Sequence, residues 1–284
     1  MSLKDRLQEW YKTDVISHKI QYISDSDPTI SVNPDKVNVI WYNRKSGEIF
    51  ICIDNTPNKN IWRGTSGKII APSTLSKFDF FEDGSTLLVC NFDGNVKDLG
   101  GKYNGQVQGR GPVFDLGRFN QSLKSYHNNY NVRFHIPELK SCTVVTVSAW
   151  ILWEGYRCCV MPFGFTRYDI YTCCDKFGFN TGHADIYGFS NAQKELYGKW
   201  VHIVAEFHKG EDFYQNKIWI NGEQKILRQE LRSPLFGNAD FGEDFYVFGW
   251  GANRAYRNFG RIDQIRLFNR SLTDTEVKAL YQEH

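Results

Sequence analysis

From about Ser85 to His284 the sequence is a succession of short apolar runs separated by Gly, Asn and Asp. The runs are rich in β-branched and aromatic residues and read LLVCNF, TVVTVSAWILW, RCCVMPFGF, YDIYTCC, WVHIVAEFH, NKIWIN, DFYVFGW and RIDQIRLF. Many short strands at fairly regular spacing, with turn residues between them, are typical of an all-β sandwich or jelly roll. The pattern therefore predicts an antiparallel β-sandwich over these residues.

Two local signals support this prediction near the end of the chain. The segment INGE at 220–223 places Asn-Gly between strand-like flanks, which is the strongest short hairpin signal. The segment TDTE at 273–276 has the form of a capping box, in which Thr and Glu bond each other's backbone. We expect a short C-terminal helix that turns Val277, Leu280 and Tyr281 inward and closes the fold.

The N-terminal part of the chain has a different pattern. Leu3, Leu7 and Trp10 recur at helical spacing and predict a short helix over the first dozen residues. Residues 37–66 then form two strand-like runs, VNVIWY and EIFICI, with the Gly-containing turn NRKSG between them. A second turn, NTPNKN, precedes a third strand at Trp62. We therefore predict two domains, which are an attachment module of a short helix plus a small β-unit at 1–78 and a jelly roll at 79–284.

Composition excludes some classes of function. The chain has 284 residues and a net charge of +2, without a run of Lys or Arg that would favour nucleic acid as a partner. No stretch approaches the roughly 20 apolar residues that span a bilayer, so we expect no membrane insertion. The N-terminus MSLKDRLQEWYK lacks the apolar centre of a signal peptide, so we expect synthesis in the cytoplasm and release by lysis.

Seven cysteines, an odd number, argue against a complete disulfide framework. Four of them form two vicinal pairs, Cys158–Cys159 and Cys173–Cys174, placed symmetrically about Thr166. A hairpin that turns at Thr166 would bring position 158 near 174 and position 159 near 173. Because consecutive strand residues face opposite sides, each face would receive two thiols, which disfavours a four-thiolate zinc site. We expect buried free cysteines that cytoplasmic synthesis keeps reduced.

The run RIDQIRLF places an acid where a core residue is expected. If this run is a regular strand, Asp263 shares a face with Ile265 and Leu267, while Ile262 and Phe268 lie on the other face. A buried carboxylate must be compensated by a cation or by hydrogen bonds.

These features resemble, in order, the laminin-G-like jelly roll of the concanavalin A-like lectin/glucanase superfamily. LLVCNFDGNVKDLGGKYNG resembles its opening strand and acidic loop, GRFNQSLK the segment that follows, and TVSAWILW its central Trp strand. GKWVHIVAEF, KIWINGEQ and GRIDQIRLFNRSLTDTEVKALY resemble its next strand, its Asn-Gly hairpin and its terminal strand with helix. The resemblance implies the fold. It does not imply one ligand, because such domains bind glycans, proteins or nothing known.

The same resemblance implies a structural calcium ion. Members of the family often hold one near the acidic loop, close to an aspartate of the terminal strand. Here Asp93, Asp98 and Asp263 match these positions, with carbonyls around Gly94 and Gly100 as further ligands. Calcium takes roughly six to eight oxygen ligands. In the alternative, backbone amides at the edge of the sandwich compensate the terminal aspartate without a metal.

Two loop-like segments, GWGANRAYRNFG and NTGHADIYGFSN, combine aromatic residues with amide, acidic and basic ones. Such groups bind sugars by placing rings against C–H groups and polar atoms against hydroxyls. The candidate carbohydrate-binding residues are Asn253, Arg254, Tyr256, Arg257, His183, Asp185 and Tyr187. The alternative is that both segments are ordinary surface loops that satisfy their own backbones.

The N-terminal β-unit resembles a module of bacteriophage tail-fibre and related virion proteins. The shared pattern has the form iWyN…tGeiFic.DnT…N.W.G…G..I.P, and this chain matches it from Ile40 to Pro72. The resemblance implies a structural or attachment module without chemistry of its own. An unrelated small β-unit is the alternative.

These inferences favour a non-enzymatic bacteriophage virion protein, a tail-fibre or capsid-fibre component that binds a host-surface glycan outside the cell. Its other partners would be virion proteins, and many fibre proteins of this kind are homotrimers, although no long heptad repeat enforces a trimer here. One alternative is a structural virion protein whose jelly roll binds another viral protein. Another is a polysaccharide depolymerase, but the E-x-D-x-x-E carboxylates of the glucanase branch are missing from the sequence.

Overall fold

The computed structural model describes residues 20–29, 31–57, 60–66, 69–70, 78–125, 130–249 and 256–283. The chain divides into two compact units, Met1–Leu75 and Ser76–His284, and each is described by itself. The predicted N-terminal helix, together with Gly67 and Pro72 of the phage-like pattern, lies outside the described residues. Within the described ranges, no helix is both long enough and apolar enough to cross a membrane.

The N-terminal unit contains a small β-sheet in which neighbouring strands follow chain order. Its described strands are β1 (Ile20–Ser24), β2 (Ile40–Asn43), β3 (Ile49–Asp54), β4 (Ile61–Gly64) and β5 (Ile69–Ile70). β1 runs parallel to β2, and the other pairs are antiparallel. Val39, Phe50, Cys52 and Trp62 form an apolar cluster inside this unit. The two predicted runs thus pair as β2 and β3, and Trp62 lies in β4.

The second unit is built almost entirely of strands. Its described strands are β6 (Thr86–Cys90), β7 (Gln106–Gly109), β8 (Phe114–Leu116), β9 (Gln121–Lys124), β10 (Tyr130–His135), β11 (Val144–Trp153), β12 (Phe163–Gly164), β13 (Asp169–Cys173), β14 (Lys176–Asn180), β15 (Ile186–Ser190), β16 (Trp200–His208), β17 (Lys217–Ile220), β18 (Glu223–Gln224), β19 (Arg228–Leu231), β20 (Asp244–Val247) and β21 (Gly260–Phe268). The helices are α1 (Ala192–Leu196) and α2 (Asp274–Gln282), and 3-10 turns span Pro137–Ser141, Gly210–Gln215 and Phe236–Asn238.

These strands form two antiparallel sheets in the described part of the unit. Sheet 1 has the order β18-β17-β16-β11-β21-β9-β8, with β6 also paired to β21. Sheet 2 has the order β19-β15-β14-β13-β12-β20-β10-β7. Side chains of both sheets, including Val147 and Ile262 from sheet 1 and Phe177 and Val247 from sheet 2, meet in one core. The structure confirms the predicted all-β, antiparallel jelly roll.

The C-terminal helix α2 covers the outer side of sheet 1. Its Val277 and Leu280 pack with Phe268 at the end of β21, and the ring of Tyr281 lies 5.8 Å from that of Trp150. The predicted capping box is present, because the Thr273 and Glu276 side chains each bond the other residue's backbone amide. Both expectations for this helix are confirmed.

The assumption of regular alternation in RIDQIRLF is wrong at one residue. Gln264 has a φ of +51° and lies in a β-bulge, where two residues of β21 oppose one of β11. An extra residue shifts the alternation of all that follow. As a result Ile262, Ile265 and Leu267 all face the core, and Asp263 lies on the opposite side of the strand. The acid therefore does not share a face with its apolar neighbours.

Candidate functional site

Asp98, one of the predicted calcium ligands, is bonded by the backbone around its own loop. Its carboxylate accepts hydrogen bonds from the amides of Val89 at 3.2 Å, Gly100 at 3.0 Å, Lys102 at 2.9 Å and Tyr103 at 3.0 Å. Four amide donors satisfy a buried carboxylate well without a metal ion. Asp98 thus acts as the organising group of the acidic loop.

Asp93 and Asp263 both contact the turn between β8 and β9. Asp93 Oδ1 accepts from the amide of Gln121 at 3.0 Å, and Asp263 Oδ2 accepts from that of Phe119 at 2.9 Å. The second oxygen of Asp263 is buried and has no hydrogen-bond partner. Burial, together with the nearby charge of Asp93, raises the pKa of Asp263 to about 7. Within the described residues, Asp98 does not join these two acids in one cluster of closely spaced ligand atoms.

The turn itself supplies further oxygen atoms. A Cβ at Gly117 would lie 2.5 Å from the carbonyl oxygen of Phe119, and 2.6 Å from both Gln121 O and Asp263 Oδ2. Glycine is therefore required at position 117, and three oxygens converge beside it. Oxygen atoms of this mixed type are what calcium prefers. A calcium site here would draw on Asp93, Asp263 and these turn carbonyls.

The candidate residues of the 249–260 segment are only partly described. Asn253 and Arg254 lie outside the described residues. Tyr256 packs against an apolar cluster on sheet 2, with its ring 5.9 Å from that of Tyr171. Arg257 is buried. Tyr256 thus lies against the sheet, and little of the Arg257 side chain is available to a ligand.

The candidate residues of the 180–191 segment have separate roles. The buried Asp185 carboxylate accepts hydrogen bonds from Thr181 and from the His183 amide, so it closes its own turn. His183 is exposed, and its carbonyl accepts a hydrogen bond from Arg232 at 3.1 Å. Tyr187, in β15, lines a groove at the edge of the sandwich. The structure does not bring Tyr187 together with the described residues of the 249–260 segment in this groove.

This groove, called here the tyrosine groove, has a volume of about 650 Å³. The described residues that line it are Tyr187, Tyr214, Gln215, Asn216, Lys217, Gln224, Lys225, Ile226 and Leu227. The walls come from β15 of sheet 2, from the 3-10 turn Gly210–Gln215 and from β17 and β18 of sheet 1. An Asn-Gly turn at 221–222, with φ values of +51° and +82°, joins these last two strands as the sequence predicts.

Two tyrosines form the aromatic wall of the tyrosine groove. Their rings lie 5.2 Å apart at 81°, and the Tyr187 hydroxyl donates to the Tyr214 carbonyl at 3.2 Å. Phe236 supports the ring of Tyr214 edge-on, at 5.7 Å. Tyr214 is 50% exposed, so one large aromatic surface is presented to solvent in a defined orientation. Burial raises the pKa of Tyr187, which stays a neutral hydrogen-bonding group.

Apart from Ile226 and Leu227, the remaining residues that line the groove are polar. Asn216 accepts through Oδ1 from the Tyr168 hydroxyl at 2.8 Å and the His208 amide at 2.6 Å, which fixes its amide group. Its Nδ2 has no hydrogen-bond partner among the described residues. Lys217 pairs with Glu206 at 2.9 Å, and Lys225 pairs with Glu195 at 2.5 Å. The groove therefore offers the exposed amide groups of Gln215 and Gln224 and two ion-paired lysines beside an aromatic ring, while the fixed amide of Asn216 is buried.

Of the residues that line the groove, Tyr187 alone was predicted from the sequence as a ligand-binding residue. Tyr214 lies in GEDFYQ, which has the same mixture of aromatic and polar residues as the two loops that were singled out. That signal was available, but the segment was not among the candidates. The pairing of Tyr187 with Tyr214 had no local signal, because it depends on how the edges of two sheets meet.

The fold and the sequence of the second unit can be compared with those of known proteins. The Laminin_G_3 family model, described as the concanavalin A-like lectin/glucanases superfamily, matches residues 161–278. The match covers most of the second unit after β11. Together with the antiparallel sandwich, it identifies the fold as a laminin-G-like, concanavalin A-like jelly roll. A comparison with proteins of curated function finds no match.

Among solved structures, domain 4 of AbnA, an extracellular arabinanase of Geobacillus stearothermophilus solved with arabinotriose, aligns with a TM-score of 0.52 and 16% identity. The alignment covers 70% of this chain and 98% of that domain. A botulinum neurotoxin type C structure aligns with a TM-score of 0.50 and 17% identity, over 69% of this chain and 50% of the other. The chain thus spans about half the length of this neurotoxin structure. At these identities the likeness concerns the fold.

Proposed function

We propose that this protein binds carbohydrate in the tyrosine groove. The observation that carries the proposal is the half-exposed Tyr214 ring, held by Tyr187 and Phe236 beside a row of amide and ammonium side chains. A sugar ring has an apolar C–H face and a rim of hydroxyls. An aromatic surface next to hydrogen-bond donors and acceptors is complementary to both.

The ligands named for two similar folds support the same class of ligand. Domain 4 of AbnA was solved in complex with arabinotriose. Cell entry of botulinum neurotoxin type C depends on interaction with two ganglioside molecules. Gangliosides are lipids with an oligosaccharide head, so both ligands contain carbohydrate. The position of the tyrosine groove on this chain is argued from its own residues.

We propose binding without hydrolysis. Glycoside hydrolysis ordinarily needs two carboxyl groups that flank the scissile bond. The described residues that line the tyrosine groove include no Asp and no Glu. The carboxylates nearest to its lysines, Glu206 and Glu195, are engaged in ion pairs. The groove therefore suits recognition, and a depolymerase would need a different site.

The test is binding of the full chain to a glycan array, followed by calorimetry with the best oligosaccharide. Tyr214→Ala should weaken binding by at least about tenfold, since a central aromatic contact contributes roughly 1.4 kcal/mol or more. Tyr156 is 51% exposed and does not line the groove, so Tyr156→Ala is the matched control and should bind normally. An array without any ligand, or a Tyr214→Ala protein that binds like wild type, would overturn the proposal.

We further propose that the glycan lies on a bacterial host and that this chain is a phage virion component. The N-terminal unit would attach to the particle, and the jelly roll would present the groove outward. The phage-like pattern from Ile40 to Pro72 and the division of the chain at Leu75 support this arrangement.

The test of this role is binding to host cells. The labelled full chain should bind host cells, and the Tyr214→Ala variant should not. Undiminished cell binding by Tyr214→Ala, or capture of another virion protein without cell binding, would favour the structural role. Release of reducing ends from capsule would establish a depolymerase.

We also propose a calcium ion beside the β8–β9 turn, held by Asp93, Asp263 and turn carbonyls. Its positive charge would neutralise both carboxylates and tie β21 to the turn. The unpartnered Asp263 oxygen and the oxygens around Gly117 support this site.

A further inference from the structure

Three cysteine side chains converge near the start of β12 and the end of β13. The Sγ atoms of Cys158, Cys159 and Cys173 all lie within 4.8 Å of one another. Cys158 Sγ is 3.0 Å from Cys159 Sγ and 3.7 Å from Cys173 Sγ. None of the three forms a disulfide. Among the described residues, this is the group of ligand atoms whose spacing suits a metal ion.

The convergence corrects the expectation that each strand face would receive two thiols. The predicted register is present, because Val160 pairs with Thr172 and the Cys174 amide lies 3.4 Å from Cys158 Sγ. The regular alternation of side chains between the two faces is absent, because Cys159 has a φ of +61° and Cys174 a φ of +49°. A left-handed residue reverses the direction of its side chain relative to a regular strand. Vicinal thiols that should point apart are thereby turned toward one point.

The backbone holds this arrangement on both sides. The Cys159 amide donates to Thr172 O at 2.8 Å, and the Thr172 amide donates to Val160 O at 3.0 Å. Tyr171 belongs to the buried cluster against which Cys159 packs. Outer groups of this kind orient metal ligands in known sites. The thiols are therefore placed before any ion arrives.

The thiols are surrounded by sulfur and aromatic groups and are partly accessible to solvent. Cys159 and Cys173 pack against a buried cluster that includes Met161 and Tyr171. Cys158 is half-buried, and Cys174 is exposed with its Sγ 3.4 Å from that of Cys173. An ion could therefore enter from solvent, past Cys174, into a pocket walled by sulfur and aromatic groups.

We propose that Cys158, Cys159 and Cys173 bind one soft cation of the zinc class as thiolates. Zinc–sulfur bonds of about 2.3 Å place the sulfurs of one site about 3.8 Å apart. The 3.7 Å between Cys158 Sγ and Cys173 Sγ matches this spacing, and the 3.0 Å between Cys158 Sγ and Cys159 Sγ would have to widen when the ion binds. Sulfur ligands select soft ions and exclude calcium and magnesium. Each thiol that binds releases its proton to solvent. Water or the Cys174 thiolate would occupy the fourth coordination position of the ion. This site is separate from the tyrosine groove and does not depend on the proposed function.

The test uses the full chain, reduced with a non-chelating phosphine and freed of metal. Co²⁺ is the probe, because thiolate coordination gives it a strong sulfur-to-metal charge-transfer absorption. We expect one Co²⁺ per chain, displaced by Zn²⁺. Cys158→Ser and Cys173→Ser should each weaken binding by more than about tenfold. Cys142 is half-buried outside the cluster, so Cys142→Ser is the matched control and should bind like wild type.

Folding is checked by near-ultraviolet circular dichroism of every variant. Cys158 lies outside the buried cluster that holds Cys159 and Cys173, so Cys158→Ser carries the test if Cys173→Ser does not fold. Cys174→Ser should still bind one Co²⁺ with charge-transfer absorption. Absence of that absorption in a protein whose seven thiols all titrate as reduced would overturn the proposal. Equal absorption in wild type, Cys158→Ser and Cys173→Ser would do the same.

Discussion

Two aspartates of the jelly roll are similarly buried, but backbone amides donate hydrogen bonds to one carboxylate more completely than to the other. Asp98, in the loop after β6, is 5% exposed, and Asp263, in the bulge of β21, is 0% exposed. Four amides donate to Asp98, whereas one oxygen of Asp263 has no partner. Nearby amides lower the pKa of Asp263, but burial outweighs them and raises it to about 7.

The difference shows that burial alone does not decide what a carboxylate does. Hydrogen bonds to the ionised form can replace the water that a buried charge has lost. At Asp98 the loop provides these bonds and gains its own structure from them. At Asp263 they are incomplete, so the group needs a proton or a cation. The Asp98 loop therefore needs no further ligand to compensate its carboxylate, whereas the surroundings of Asp263 are a candidate cation-binding site.

The largest effect should come from Asp98→Asn. An amide group can offer only one oxygen, so at least one pair of backbone donors would lose its acceptor or face an NH₂ group. Leaving buried donors unsatisfied costs about 1–3 kcal/mol each, and we expect a loss of about 3 kcal/mol in the free energy of unfolding. Urea denaturation followed by tryptophan fluorescence measures this loss.

The control for this variant is Asp240→Asn. Asp240 forms a surface ion pair with Lys209 at 2.6 Å, and its side chain is 51% exposed. Surface pairs of this kind contribute about 0–1 kcal/mol. If both variants lost the same small amount, the four amides would not be the reason that Asp98 is tolerated, and the comparison with Asp263 would fail.

The sequence predicted the parts of this comparison that depend on local patterns. Most strand runs, the Asn-Gly turn at 221–222 and the capping box at Thr273 are encoded within a few residues, and the structure has them where they were expected. The run RCCVMPFGF is an exception, because only Phe163–Gly164 of it form a strand. The side of β21 that carries Asp263 was predicted wrongly. It depends on the bulge at Gln264, and a bulge forms because a neighbouring strand selects the register.

Asp263→Asn should stabilise the calcium-free protein at high pH. The folded pKa is about 7 and the ordinary value is 3.8, so the folded state holds this proton more tightly than the unfolded chain. Wild type therefore loses stability as pH rises from about 4 to about 7 and then levels off. Three pKa units correspond to about 4 kcal/mol at most. We expect a gain of about 2 kcal/mol for the variant at about pH 8.

Urea titrations in EDTA between about pH 4 and pH 8 measure this gain. Below about pH 4 the carboxyl group is protonated in both states, so variant and wild type should be equally stable. The difference should grow through the same window in which wild type loses stability. A constant difference at every pH would mean that Asn acts through packing, and the uncompensated charge would not exist.

The candidate sites were less predictable than the fold. Tyr187 and Tyr214 are 27 positions apart, and their contact depends on how β15 approaches the turn before β17. Cys158, Cys159 and Cys173 converge because one residue among them has a positive φ, which no alternation rule anticipates. Sites of this kind depend on departures from regular geometry. The sequence names the residue types, and the tertiary structure decides which of them meet.

The smallest of these effects, and the one most specific to Asp263, is stabilisation by calcium. An ion present at ten times its Kd should raise the free energy of unfolding by about 1.4 kcal/mol. Asp93→Asn and Asp263→Asn should each remove the response, because each deletes one of the two carboxylates that contact the β8–β9 turn. Asp98→Asn should keep it, even though this variant is the least stable of the three. Protons compete with calcium for Asp263, so the response of wild type should be larger at about pH 8 than at about pH 5. If Asp98→Asn lost the response as well, the ion would be held by all three aspartates, and the two regions would form one site.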